Sequence, residues 1–194
     1  MKRVLVLLSD GFEALEAAAF TDILGWADVF GEEPIEVVTA GRRLRLDCTF
    51  ALQIVPMIQL SAVKVEDFDA VAIPGGFEKA GFYDDAYSPE VLEIIRRFGE
   101  LGKPIASICV GALPVARSGV LTGRRATTYH LLGGKRREQL AAMGAEVVDE
   151  PLVRDGNIIT SASPATGIDV AFALLEVLTS RKNTVKIRRL MGYG

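Results

Sequence analysis

Apolar residues fall along this chain in two alternating patterns. The first is the short unbroken run: Val4 to Leu8, Ala70 to Ile73 and Ile105 to Ile108. A strand covered on one face alternates apolar and polar positions, whereas an unbroken run expects cover on both faces, as in a parallel sheet. Glu36 to Thr39 and Ile158 to Ser161 are β-branched in character and predict two more strands. The second pattern is helical. Residues 13 to 29 predict a first helix, and Ser88-Pro89-Glu90 opens another, with Ser88 as cap and Pro89 in the first turn. A short helix is expected after Cys109, a further one over residues 134 to 142, and a last one opened by Ser163-Pro164. In that last helix Ile168, Phe172, Leu175 and Leu178 make an apolar stripe. Residues 43 to 60 have no helical period and predict small strands or a hairpin, and the stretch from Lys182 to Gly194 has the weakest pattern of all. Strands alternating with helices predict an α/β fold, a mostly parallel sheet between two helical layers, in one domain over residues 1–194.

Composition supports this and removes several functions. With 194 residues, 49% apolar and 24% charged, the chain can bury a core without staples. The net charge is −3, and Arg42, Arg43, Lys186, Arg188 and Arg189 are too few and scattered to make a nucleic-acid surface. Lys2 and Arg3 precede an apolar run of only five residues, too short for a signal core or a membrane span, so a cytoplasmic location without membrane attachment is expected. Two cysteines, Cys48 and Cys109, and one histidine, His130, predict neither a disulfide scaffold nor a metal site. No cofactor is expected either, because the glycine pattern of a dinucleotide loop is missing after both candidate strands, at Ser9 to Phe12 and at Pro74 to Gly76.

One segment carries chemistry by its form. Ser107-Ile108-Cys109-Val110-Gly111 follows a buried strand with small residues two before and two after the cysteine, the pattern of a nucleophile elbow. Such a turn puts the thiol at the start of a helix, where N–H groups and the dipole favour thiolate. The expectation is therefore a reactive Cys109 beside an inert Cys48. Ligands of open α/β sheets sit beyond the carboxyl ends of the strands, so other strand ends should meet Cys109. Glu16, in a mainly apolar helix after the first strand, is either a helix-end acid or a buried carboxyl able to carry a proton. Gly75 and Gly76, after Ile73-Pro74, form either a tight turn or a pair of amides for an oxyanion. His130 is the one side chain whose ordinary pKa lies near neutrality.

Taken in order, these segments resemble the ThiJ/PfpI family. The residues that carry the resemblance are Asp10-Gly11-Phe12-Glu13 with Glu16, Ile73-Pro74-Gly75-Gly76, Ile108-Cys109-Val110-Gly111, Gly123 to Thr128 and Val153 to Ser161. The resemblance implies a flavodoxin-like three-layer sandwich, usually dimeric, with Cys109 as nucleophile and Glu16 as the protonated carboxyl beside it. It implies an oxyanion pocket from the amides of Gly76 and Val110, with His130 as third partner. Two departures bear on activity. Protease-like members carry histidine directly after the cysteine, where this chain has Val110. In deglycase-like members histidine directly follows the paired threonines; here Tyr129 intervenes, so either Tyr129 or His130 is expected to face the pocket. Related glutamine amidotransferases need a later His-x-Glu pair, and no histidine follows His130. The function expected is a cysteine-dependent enzyme on small reactive carbonyls, of glyoxalase or deglycase type, acting as a homodimer. The alternative is a redox-sensing or chaperone-like stress protein with an oxidisable cysteine, and after it an intracellular peptidase or amidase.

Overall fold

A computed structural model describes residues 1–193 of the chain. Its strands are β1 (Lys2–Leu8), β2 (Ile35–Gly41), β3 (Leu46–Asp47), β4 (Gln53–Ile54), β5 (Ile58–Gln59), β6 (Ala70–Ile73), β7 (Ile105–Ser107), β8 (Arg125–Ala126), β9 (Glu146–Val147), β10 (Leu152–Asp155) and β11 (Ile158–Ser161). Its helices are α1 (Ala14–Phe30), α2 (Phe82–Ala86), α3 (Pro89–Glu100), α4 (Ala112–Arg117), α5 (Lys135–Ala142), α6 (Gly167–Leu178) and α7 (Arg181–Leu190).

Seven strands form the main sheet in the order β10-β11-β7-β6-β1-β2-β5. All neighbours are parallel except β10 against β11. The unbroken apolar runs have the predicted cause: Val4 to Leu8, all of β6 and all of β7 are buried, with helices over both faces. Helices α1, α6 and α7 pack together on one side and α3, α4 and α5 on the other, which gives the α/β/α sandwich of flavodoxin-like form. From β1 the chain goes outward to β2, then returns to β6 on the other side. That reversal opens a crevice beyond the carboxyl ends of β1 and β6.

Several elements depart from the sequence reading. Ser88 stands at the cap of α3, but its hydroxyl makes no capping bond and is buried without a partner. Residues 43 to 60 do form a small hairpin, β3 with β4, but also supply β5 to the edge of the main sheet. The indistinct C-terminal stretch contains α7, with Gly194 outside the described residues. Asn183 explains why α7 docks. It is fully buried, its Oδ1 accepts from the Glu32 N–H at 2.9 Å, and its Nδ2 donates to the Glu33 carbonyl at 3.3 Å, which ties α7 to the end of α1.

The apolar character of α1 is accounted for within the chain. Phe20, Ile23 and Leu24 are covered within the chain itself, against the sheet and α6, and so make no demand for a partner subunit. What α1 leaves exposed is Leu15 near its start and Trp26, Val29 and Phe30 near its end. No helix among the described residues is long and apolar enough to cross a membrane.

Candidate active site

Three strand ends converge at the crevice. Beyond β7 the chain makes one 3-10 turn, Cys109–Gly111, before α4, and Cys109 sits at its head with φ 55°. A left-handed conformation is strained for a side chain with a Cβ, and it persists only where the surroundings impose it. Two contacts do so here. Gly111 lies so close under β6 that a Cβ there would stand 2.6 Å from the Ile73 carbonyl oxygen. The Thr128 hydroxyl donates to the Cys109 carbonyl at 2.8 Å. Thr128 is held in turn by its neighbour, since the Thr127 N–H donates to Thr160 Oγ1 on β11 at 2.9 Å.

Glu16 comes from the first turn of α1 and is fully buried. The Gly75 N–H donates to its Oε2 at 2.5 Å. Its Oε1 is buried without a well-formed partner among the described residues, and the group that couples to this carboxyl is the Cys109 thiol. Burial lifts the Glu16 pKa to about 8, with the charge of Glu13 adding to the effect and the Gly75 and Cys109 hydrogen bonds opposing it. Burial thus favours the protonated carboxyl at neutral pH, the state a proton carrier needs.

Cys109 departs from the expectation that its position alone yields thiolate. Burial raises the thiol, an ionised Glu16 raises it further, and the Val110 N–H only partly offsets them. Cys109 and Cys48 are equally hidden, at 6% and 7% exposed, and Cys48 is raised by burial as well. What separates them is company. Cys109 has an N–H donor and a buried carboxyl beside it, and thiol and carboxyl titrate as one coupled pair.

The glycines divide the work expected of them together. The Gly75 N–H is committed to Glu16 and is not an oxyanion donor. Gly75 has no room for a side chain, since a Cβ would stand 2.9 Å from Val110 Cγ2 and 3.0 Å from Glu16 Oε2. Gly76 pairs with Phe12 through the Glu13 N–H on the Gly75 carbonyl and the Phe77 N–H on the Gly11 carbonyl, a pairing that does not use its own N–H. The Val110 N–H points at the sulfur. Gly76 and Val110 thus remain the amides suited to an oxyanion.

The charges that bear on Cys109 are those of Glu16 and Glu13, and His130 is not among them. A charge on His130 acts instead on Asp149, and its Nδ1 is buried without a partner. Tyr129 packs against the hydrophobic core. It is Thr128, one residue earlier, that touches the elbow. Two residues were missed by sequence reasoning. Glu13, at the cap of α1, is raised by burial and acts on both members of the pair. Tyr83, on α2, lies within electrostatic reach of Cys109, and no local pattern points to it, because the docking of α2 decides where it falls.

Comparison with known proteins bears on the family and the fold. The model of the DJ-1/PfpI family matches residues 2–177. The crystal structure of Drosophila melanogaster DJ-1beta superposes with a TM-score of 0.84 at 29% sequence identity, covering 98% of this chain and 97% of that one. A deglycase of Thermococcus kodakarensis is 30% identical over 170 residues, 84% of this chain and 90% of the relative. Protein DJ-1 homolog B of Arabidopsis thaliana is 26% identical over 188 residues, and there the match spans 96% of this chain but only 40% of the longer relative.

Proposed function

The chain belongs to the DJ-1/PfpI family, and on that premise we propose that it is a cysteine-dependent enzyme acting on small reactive carbonyls without glutathione. The observation that carries the reading is the buried pair of Glu16, held protonated by burial, and Cys109, held in a strained elbow. In this reaction the Cys109 thiolate bonds to the aldehyde carbon and the carbonyl electron pair moves to oxygen, beside the Gly76 and Val110 amides. Protonation of that oxygen gives a hemithioacetal. Glu16 then takes a proton from the carbon bonded to sulfur and returns one to the neighbouring carbon, while the hemithioacetal hydroxyl proton passes to the neighbouring carbonyl oxygen. The result is a thioester on Cys109, which water cleaves to a 2-hydroxy acid and free thiol. Each proton stays within reach of one carboxyl, which is why its pKa must lie near the working pH.

Val110 in the position of a histidine, and His130 acting on Asp149 instead of Cys109, both weigh against a peptidase. We further propose that the protein works as a homodimer. The support is apolar surface left open beside the site, Leu15 together with the Phe50 and Phe77 rings, whose centroids lie 5.3 Å apart. The reaction is tested by following methylglyoxal with the pure protein. Turnover lost in Cys109→Ala is expected. No turnover, together with ready oxidation of Cys109 to sulfinic acid, would favour the redox-sensing alternative.

A further inference from the structure

Among the buried polar groups that the proposed reaction leaves unexplained is the Tyr83 hydroxyl. Tyr83 lies on α2, and three contacts fix α2 over the crevice. The buried Asp85 accepts the Asp10 N–H at 2.9 Å. The Ala80 carbonyl lies so close to Gly11 that a Cβ there would stand 2.5 Å from it. The Phe82 ring covers Gly76, leaving only 2.5 Å to where a Cβ would be. The Tyr83 ring is wedged between Phe82, at 5.3 Å, and Tyr87, at 5.1 Å, with the Arg136 guanidinium 4.9 Å from its centroid. Glu78 holds Arg136 in that position with a 2.7 Å bond. In spite of this packing, the Tyr83 hydroxyl is buried with no hydrogen-bond partner. A buried hydroxyl without a partner is costly, and its persistence calls for an explanation such as a ligand.

We propose that the Tyr83 hydroxyl is a substrate-contacting donor that holds the second oxygen of a vicinal dicarbonyl, the one next to the carbonyl that Cys109 attacks. Burial keeps the phenol protonated and therefore a donor, and a charge on Cys109 acts on it across the site. The Arg136 cation on the ring face draws electron density from the phenol and strengthens the O–H as a donor. The Gly76 and Val110 amides hold one oxygen and Tyr83 the other. A 1,2-dicarbonyl is thereby distinguished from a simple aldehyde by a second contact. The inference rests on the carbonyl reading above.

Site-resolved alkylation of Cys109 by iodoacetamide tests it on the full chain, with methylglyoxal or propanal present as protecting aldehyde. Each compound is compared with itself between variants, so their different electrophilicity cancels. Tyr83→Phe raises the methylglyoxal concentration for half-protection, and the KM for its turnover, about tenfold, the loss expected for one hydrogen bond. Propanal values stay within about twofold, and melting is unchanged or higher because an unpaired hydroxyl is removed. Arg136→Gln, which leaves the Tyr83 ring in place, shifts methylglyoxal in the same direction by less. Methylglyoxal values unmoved by both variants, or methylglyoxal and propanal shifting together, overturn the role of Tyr83 while leaving the carbonyl reading intact. A wild-type protein that neither turns over methylglyoxal nor is protected by it overturns that reading and this inference with it.

Discussion

The chemistry of the site comes down to one proton shared by Glu16 and Cys109. The reactive form has thiolate and protonated carboxyl, one proton fewer than the resting pair and one more than the fully ionised pair. Turnover against pH should therefore rise through about 8, where the pair gives up its first proton. Glu16→Gln keeps shape and a donor but removes the transferable proton. Alkylation of Cys109 should survive that change, while turnover falls by roughly 10²-fold; parallel loss of both would leave Glu16 no proton-carrying role. Stability follows from the same shift. A carboxyl raised from 4.5 to about 8 favours the fold below 4.5, and that contribution is lost as pH climbs through 8. Melting curves should thus show Glu16→Gln overtaking wild type progressively between pH 5 and 8. Glu13 is not the bystander its place at a helix cap suggested. Since its charge opposes ionisation of both partners, Glu13→Gln should move the rise in Cys109 labelling to lower pH.

At the level of elements, the elbow is a strained turn held from below and behind. Thr128→Val removes the hydrogen bond to the Cys109 carbonyl but keeps the volume, leaving a buried acceptor unpaired. Denaturant unfolding should show a loss of about 1–3 kcal/mol, with slower Cys109 alkylation because the thiol no longer faces Glu16 and Val110. Unchanged labelling in a destabilised variant would make Thr128 a packing residue alone. Gly75→Ala strikes from the other side, since its Cβ must displace Val110 or Glu16. A cost of about 1–3 kcal/mol and near-complete loss of turnover are expected together.

For the whole molecule, two surfaces matter. Asn183 joins α7 to the end of α1, and Asn183→Ala leaves the Glu32 N–H and the Glu33 carbonyl without their side-chain partner. A loss of about 1–3 kcal/mol should follow, seen first as faster amide hydrogen exchange in α7. The exposed apolar set of Leu15, Phe50 and Phe77 is the surface we propose for a homodimer. Light scattering at micromolar concentration should give twice the chain mass of 20.9 kDa, and Phe50→Glu should bring it to the single value. A wild-type mass equal to one chain would remove the dimer.

The sequence by itself determined the architecture. The strands at Val4, Ala70, Ile105 and Ile158 are legible because burial on both faces demands unbroken apolar runs, a demand local enough to be written into four or five residues. Cys109 is legible for a related reason: a tight strand-to-helix turn requires small flanking residues at fixed spacing. The tertiary structure alone decided what each polar group does. Glu16 becomes a buried carboxyl with a raised pKa because α1 is pressed against the sheet end. Gly75 and Gly76, adjacent and identical, take different tasks because one amide faces a carboxyl and the other does not. His130, one residue from where its motif should end, acts by its charge on Asp149. Cys109 keeps its proton in spite of a helix start, because burial outweighs the dipole. Tyr83 enters the site through the docking of α2, a contact between Asp85 and Asp10 that lie 75 positions apart. Hydrophobic periodicity is a property of neighbours in the chain, whereas protonation and hydrogen bonding depend on neighbours in space, and only the packed structure brings those together.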